Sequence, residues 1–297
     1  MPGRFRIFTT AAAFAVPLVV IAIVVVLVAE ATPAVARFGP GFLYGGAWNP
    51  VTLDFGALPF VFGTLATSAI ALALALPVGI AVAIVLAEPG ADRLRGGVGT
   101  AVELLAAIPS VVYGIWALYV MAPFVYAHVE LPLNQRLGFL GLFGGQPRQT
   151  SLLSASLVLA VMILPTLSAI SRDVLRAVPQ GLREASVALG ATWWETTRKV
   201  LLPAARAGIF GAAVLALGRA LGETIAVTMV IGNRPEITAS LFSPAYTLAS
   251  VIANEFTEAT GQIYPAALLE LGLVLMLVTF AVNLLALLLV RRSVERP

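Results

Sequence analysis

The chain has 297 residues, of which 60% are hydrophobic and 11% charged, with a mean hydropathy of +0.97; a soluble domain would carry about 25% charged residues. It contains no cysteine, which excludes disulfides, thiolate metal sites and thiol redox chemistry. The formal charge of +3 reflects where basic residues sit about a membrane and gives no reason to invoke nucleic acid.

Six apolar runs, residues 11–28, 60–87, 99–123, 152–171, 208–231 and 264–290, are each long enough to cross a hydrocarbon core of about 30 Å as a helix. They are continuous rather than alternating, which excludes a β-barrel. An all-α membrane protein with six transmembrane helices follows, because backbone polar groups in lipid must be satisfied within the segment. With the N-terminus inside, the inner segments hold Arg4, Arg6, Arg93, Arg95, Arg172, Arg176, Arg183, Arg198, Lys199, Arg206, Arg291, Arg292 and Arg296. The outer loops hold Arg37, Arg136, Arg148 and Arg234. This asymmetry sets both termini on the cytoplasmic side.

Arg4 and Arg6 precede the first run, and Ala34-Val35-Ala36 follows it, as in a signal peptide with its cleavage site. The run exceeds the usual 7–15 residues of such a peptide, so it reads as a retained anchor. Residues 30–59 and 132–149 are rich in Gly and Pro and read as outer loops. They are suited to a partner or are simply surface turns. His128, the only histidine, reads as part of an outer loop, with nothing nearby to complete a metal or catalytic set. Pro17, Pro77, Pro109 and Pro165 lie in the runs as kinks for a gate or as packing irregularities. Glu103 lies near the cytoplasmic end of the third run, and Glu270 lies deep in the sixth and needs a partner.

The inner loop between the fourth and fifth runs, residues 172–207, reads as two short helices. Pro179 opens the first, whose face is Leu182, Ser186 and Leu189. Gly190 stops it. Thr192 to Glu195 spell a capping box for a second helix, which Pro203 ends. Such a hairpin either docks on a partner or lies on the headgroups with Trp193 and Trp194 as anchors. In the fifth run Arg219 and Glu223 stand four residues apart, on one helical face and able to pair. An intramembrane arginine costs about 2.5–3.5 kcal/mol on insertion scales, so it faces a cavity or a partner. Gly218 and Gly222 form a G-x-x-x-G step for close helix approach. The pair is either a structural lock or an anion-attracting point on a translocation path. No phosphate-binding loop precedes Lys199, the only lysine, and no nucleophile–base set suggests an enzyme.

Glu184, Ala185, Ser186, Gly190, Val200, Leu202 and Pro203 fall on the spacing of the "EAA" loop of ATP-binding-cassette (ABC) importer permeases, with Ser186 and Val200 as mild departures. Residues 103–114 (ELLAAIPSVVYG), 218–233 (GRALGETIAVTMVIGN) and 267–272 (ALLELG) resemble signatures of the phosphate-importer permeases of the PstC type. The resemblance implies a type I (MetI-like) importer permease fold in a bacterial cytoplasmic membrane. Residues 1–59 would be an anchor and external loop, and residues 60–292 the transport domain. It implies phosphate as cargo, with Arg219 and Glu223 on the pathway and Glu184, Ala185, Ser186, Gly190, Leu202 and Pro203 coupling to an ATPase. It also implies a PstA-like sister permease, a PstB-like ATPase dimer that binds the ATP and Mg, and a PstS-like external phosphate-binding protein. Sulfate or molybdate import is the nearest rival, and an ion-coupled secondary transporter the more distant one.

Overall fold

A computed structural model describes residues 2–87 and 92–294; Arg296 lies outside them. Except for a two-residue hairpin, β1 (Trp48–Asn49) paired antiparallel with β2 (Asp54–Phe55), the regular structure is helical. The helices are α1 (Pro2–Phe38), α2 (Gly41–Tyr44), α3 (Leu58–Ala87), α4 (Asp92–Ala107), α5 (Ser110–Leu137), α6 (Leu152–Ala177), α7 (Gln180–Ala188), α8 (Trp193–Leu221), α9 (Ile225–Val230), α10 (Leu248–Glu255) and α11 (Ile263–Val294). Six of them, α1, α3, α5, α6, α8 and α11, are long and apolar enough to span a membrane.

The core is a seam of α3, α6 and α8 closed by α9. Its contact positions are mostly small: Ala71 and Ala75 on α3, Ala155 on α6, Ala212 and Ala216 on α8, all buried. Lipid offers no hydrophobic drive for helices to associate, so close approach through small residues is the main source of packing. The same logic holds α5 to α9. A Cβ on Gly114 would stand 3.1 Å from the Ala226 backbone and would displace the Met229 side chain, so a larger residue there would push α5 and α9 apart.

Two spans differ from their sequence reading. The third is split at Ile108-Pro109. Pro109 is extended (φ −61, ψ 146), and a residue before proline disfavours the helical region. Residues 92–107 are therefore a separate helix, and the span runs on to Leu137. The sequence hid this because the outer half of α5 carries His128, Glu130, Asn134 and Arg136, which lower its hydropathy. The fifth span is not continuous to residue 231: α8 stops at Leu221, with Gly222 as its C-cap, and α9 restarts at Ile225. Pro203 in turn does not end a helix. A π turn at Thr197–Leu201, in which Leu202 N–H reaches back to Thr197 O, shifts the ladder by one residue just ahead of the proline, and the helix runs through.

At the outer end, α1 packs along α11, and Ala31 and Ala34 of α1 are fully buried. The Ala34-Val35-Ala36 triplet thus sits inside a packed helix. Beneath it Phe42, Phe55, Phe60, Trp48 and Tyr264 interlock, with Phe55 and Tyr264 stacked at 5.3 Å. Glu255 Oε2 accepts from both Trp48 Nε1 and Tyr264 Oη at 2.7 Å. Glu255→Ala orphans two half-buried donors and is expected to cost about 2 kcal/mol. Thermal unfolding of the purified protein should show the loss while Glu255→Gln, which keeps an acceptor, restores part of it.

Candidate functional site

The break between α8 and α9 sits at membrane depth, where irregular backbone is tolerated only inside protein or beside a cavity. Its polar groups are served locally. Thr224 Oγ1 donates to Gly222 O at 3.2 Å, and Thr228 Oγ1 to Thr224 O at 2.7 Å. The Glu223 carboxylate accepts from the backbone N–H groups of Thr224 and Ala226, at the start of α9. Because the helix ends before Glu223, the expected i, i+4 pairing with Arg219 is not formed, and no ion pair within 4 Å joins them. Arg219 instead reaches across to α6, where its Nη1 donates to Thr166 Oγ1 at 3.2 Å. The two charges remain close enough to act on each other electrostatically.

Arg219 is exposed rather than sealed in the bundle. Its guanidinium also lies within electrostatic reach of Tyr113 on α5, which is buried and donates to Leu105 O at 2.8 Å across the α4–α5 joint. An apolar pocket of about 290 Å³ at that joint has Tyr113, Trp116 and Val161 in its wall. The arrangement places one planar cation, with a hydroxyl partner that is easily exchanged, beside an apolar wall and a carboxylate already satisfied by backbone. An oxyanion can take the place of Thr166 on the guanidinium fork. The G-x-x-x-G step brings no helix into close approach: a Cβ on Gly218 would stand 3.6 Å from Asn283 Oδ1 of α11, an ordinary contact, and one on Gly222 would meet nothing within 4 Å.

On the cytoplasmic side, α7 and the start of α8 form the expected hairpin. Gly190 has φ +82, a conformation L side chains rarely adopt, and it lets Ala191 N–H cap Ser186 O. The capping box is complete, with Glu195 N–H on Thr192 Oγ1 and Thr192 N–H on Glu195 Oε2. Ser186 faces inward and its hydroxyl meets that of the buried Thr196 at 3.0 Å. Glu184 and Ala185 face out, and the Gln180 amide donates to Glu184 Oε1 at 2.8 Å. Leu182, Val187, Trp193 and Trp194 are roughly half exposed, and Leu189, one residue past the helix end, is 90% exposed. Leu202 packs back against the α3–α6–α8 contact at Leu175 and Ala83, and Pro203 is exposed on α8. Hence four of the six loop residues are at the hairpin, and the other two belong to the helix that follows it.

Other titratable groups fall elsewhere. Glu103 lines a polar cleft of about 370 Å³ with Arg172, Arg176 and Thr100 at the inner surface. Glu270 is buried, and its Oε2 has no hydrogen-bond partner among the described residues. His128 lies within α5, not in a loop, with its ring stacked on Phe124 at 4.4 Å. Sequence reading missed Glu130, which is fully buried and accepts from Ser151 Oγ at 2.6 Å. It missed Thr166 as well, for which no local signal exists. Among the described residues no group of three or more His, Cys, Asp or Glu is placed to hold a metal ion.

Residues 75–295 match the model of the binding-protein-dependent transport system inner membrane component family. The chain is 47% identical to a phosphate transport system permease protein PstC of Mesorhizobium japonicum, over 95% of this chain and 88% of that one. It is 44% identical to the PstC protein of Pasteurella multocida, over 97% and 91% of the two chains. Among solved structures, an inward-facing MetNI methionine ABC transporter aligns over 79% of this chain and 94% of its own, with a TM-score of 0.59 at 22% identity. A bacterial alginate ABC transporter aligns over 96% and 95%, with a TM-score of 0.63 at 19% identity.

Proposed function

Since the chain belongs to the binding-protein-dependent transport inner membrane component family, we propose that it is a permease subunit carrying inorganic phosphate inward through an ABC importer. The fold is that of the MetI-like permeases, and the chain is a multi-pass membrane protein of a transport family rather than an enzyme. Alternating access is the mechanism this reading implies. Phosphate delivered by an external PstS-like binding protein enters from the outer mouth and meets Arg219, whose hydrogen bond to Thr166 is exchanged for a phosphate oxygen. Glu223, held on the backbone of α9, keeps the local charge near neutral, so the anion is held loosely enough to leave. A PstB-like ATPase dimer binds ATP and Mg and closes around Glu184 and Ala185; the hairpin moves, and α8 moves with it. A PstA-like sister permease supplies the other half of the path. The bacterial cytoplasmic membrane is the setting these partners require.

The single observation that carries the cargo is the likeness to PstC proteins across nearly the whole length, the Arg219 segment included. Its test is ATPase activity of the reconstituted complex. Binding protein loaded with phosphate is expected to stimulate hydrolysis, and sulfate offered in its place to leave the basal rate. Equal stimulation by sulfate or molybdate would redirect the cargo, and transport by the isolated chain on an ion gradient would sink the importer reading altogether.

A further inference from the structure

On the outside of the bundle, α3, α8 and α11 enclose a groove of about 320 Å³. Ala213 and Ala286, both less than a tenth exposed, form its floor, and Leu72, Leu76, Phe210 and Leu217 rise beside it. Alanines on two facing helices, where larger side chains would fill the seam, leave the furrow open. Along α8 the lining runs from Leu202 to Leu217, which is about 22 Å of helix axis. Since α8 rises from the cytoplasmic surface, this covers the inner half of a hydrocarbon core about 30 Å thick and passes its midplane. Arg206, exposed, stands at the cytoplasmic end and is the charged member of an otherwise apolar lining.

We propose that this groove binds an anionic phospholipid of the inner leaflet, one acyl chain lying along α8 and the phosphate resting on Arg206. Shape favours a chain over a helix of another subunit. The furrow, about 320 Å³ drawn out along about 22 Å of α8, is a slender apolar slot that one flexible acyl chain can follow. Charge identifies the headgroup, because basic pockets between helices on the cytoplasmic side suit anionic lipids and a guanidinium matches phosphate with two parallel hydrogen bonds. Arg206 also interacts within the chain, and its five N–H donors allow both engagements. The lipid would lie against the helix that joins the cytoplasmic hairpin to Arg219, so its presence bears on how hydrolysis is transmitted.

The test uses the complete transporter complex, delipidated, exposed to phosphatidylglycerol or phosphatidylcholine vesicles and weighed intact by native mass spectrometry. The complex should retain phosphatidylglycerol in preference to phosphatidylcholine. Arg206→Gln should reduce that preference about fivefold, the scale of one basic contact at a membrane surface, while Ala213→Phe should expel either lipid by filling the floor. Ala286→Leu, a smaller filling of the same floor, should expel it too if Ala213→Phe does not assemble. Equal retention of the two lipids by the unaltered complex overturns the proposal. So do unchanged lipid masses in these variants, or crosslinking of a Leu76→Cys complex to the sister permease instead of to lipid. The readout is bound lipid rather than uptake, so this outcome and the choice of cargo stand or fall separately.

Discussion

Replacing Arg219 by alanine is expected to reduce phosphate uptake by the reconstituted complex at least tenfold and to leave the complex assembled. The guanidinium makes one side-chain hydrogen bond within the chain, to Thr166, at an exposed position on α8. Removing it therefore strips little packing. On the proposed pathway what is lost is the cation that receives the anion, and hydrogen bonds to charged groups contribute about 1.5–3 kcal/mol each, or roughly one to two powers of ten. Arg219→Lys should fall between the two, since it keeps the charge and loses the planar fork. Uptake and size-exclusion profiles measured on the same preparation decide the matter. A complex that dissociates, or melts far below the unaltered one, would make Arg219 a structural lock. Thr166→Val should leave assembly intact and alter uptake much less, because on the proposed pathway Thr166 is the partner that the anion replaces.

Reversing the charge at Glu184 is the second large effect. Glu184→Lys is expected to abolish co-purification of the ATPase subunit while α7 stays folded. Its carboxylate is exposed and bonded only to Gln180 on the same helix, so the hairpin does not depend on it. The surrounding surface does suggest a covering: Leu189 is almost fully exposed, and Leu182, Val187, Trp193 and Trp194 are about half exposed. Pull-down with a tagged ATPase, together with circular dichroism of the variant, separates lost docking from lost folding. Unchanged retention together with unchanged uptake would remove the coupling role from this loop. Gln180→Ala serves as the control, because it removes the one internal partner of Glu184 and should spare docking.

The hairpin was the most legible part of the molecule, because its signals are local: Pro179 at the entry, Gly190 at a positive φ, and Thr192 with Glu195 as reciprocal caps. Six membrane spans were legible for the same reason, as hydropathy is additive along the chain. Tertiary choices were not. Nothing in residues 218–224 says that Glu223 will turn back onto the α9 backbone, because a regular helix would have satisfied the same sequence pattern at lower apparent cost. Thr166 follows a proline in an apolar run and meets Arg219 only because α6 packs on α8. Glu130 was hidden by the polar residues around it, which made the outer third of α5 read as loop. Pro203 read as a stop because the usual penalty for an internal proline assumes an unbroken α ladder; the π turn ahead of it removes that assumption.

One consequence of the uninterrupted α8 is mechanical. From Trp193 to Arg219 the helix measures about 39 Å, and it acts as a lever arm with the hairpin at one end and the guanidinium near the other. Tilting such an arm by about 5° about its hairpin end displaces the Arg219 end by about 3.4 Å. That exceeds the 3.2 Å between Arg219 and Thr166. Such a tilt carries Ala216, three residues before Arg219 on the same helix, along with the guanidinium, so the alanine seam has to slide as Arg219 leaves its resting partner.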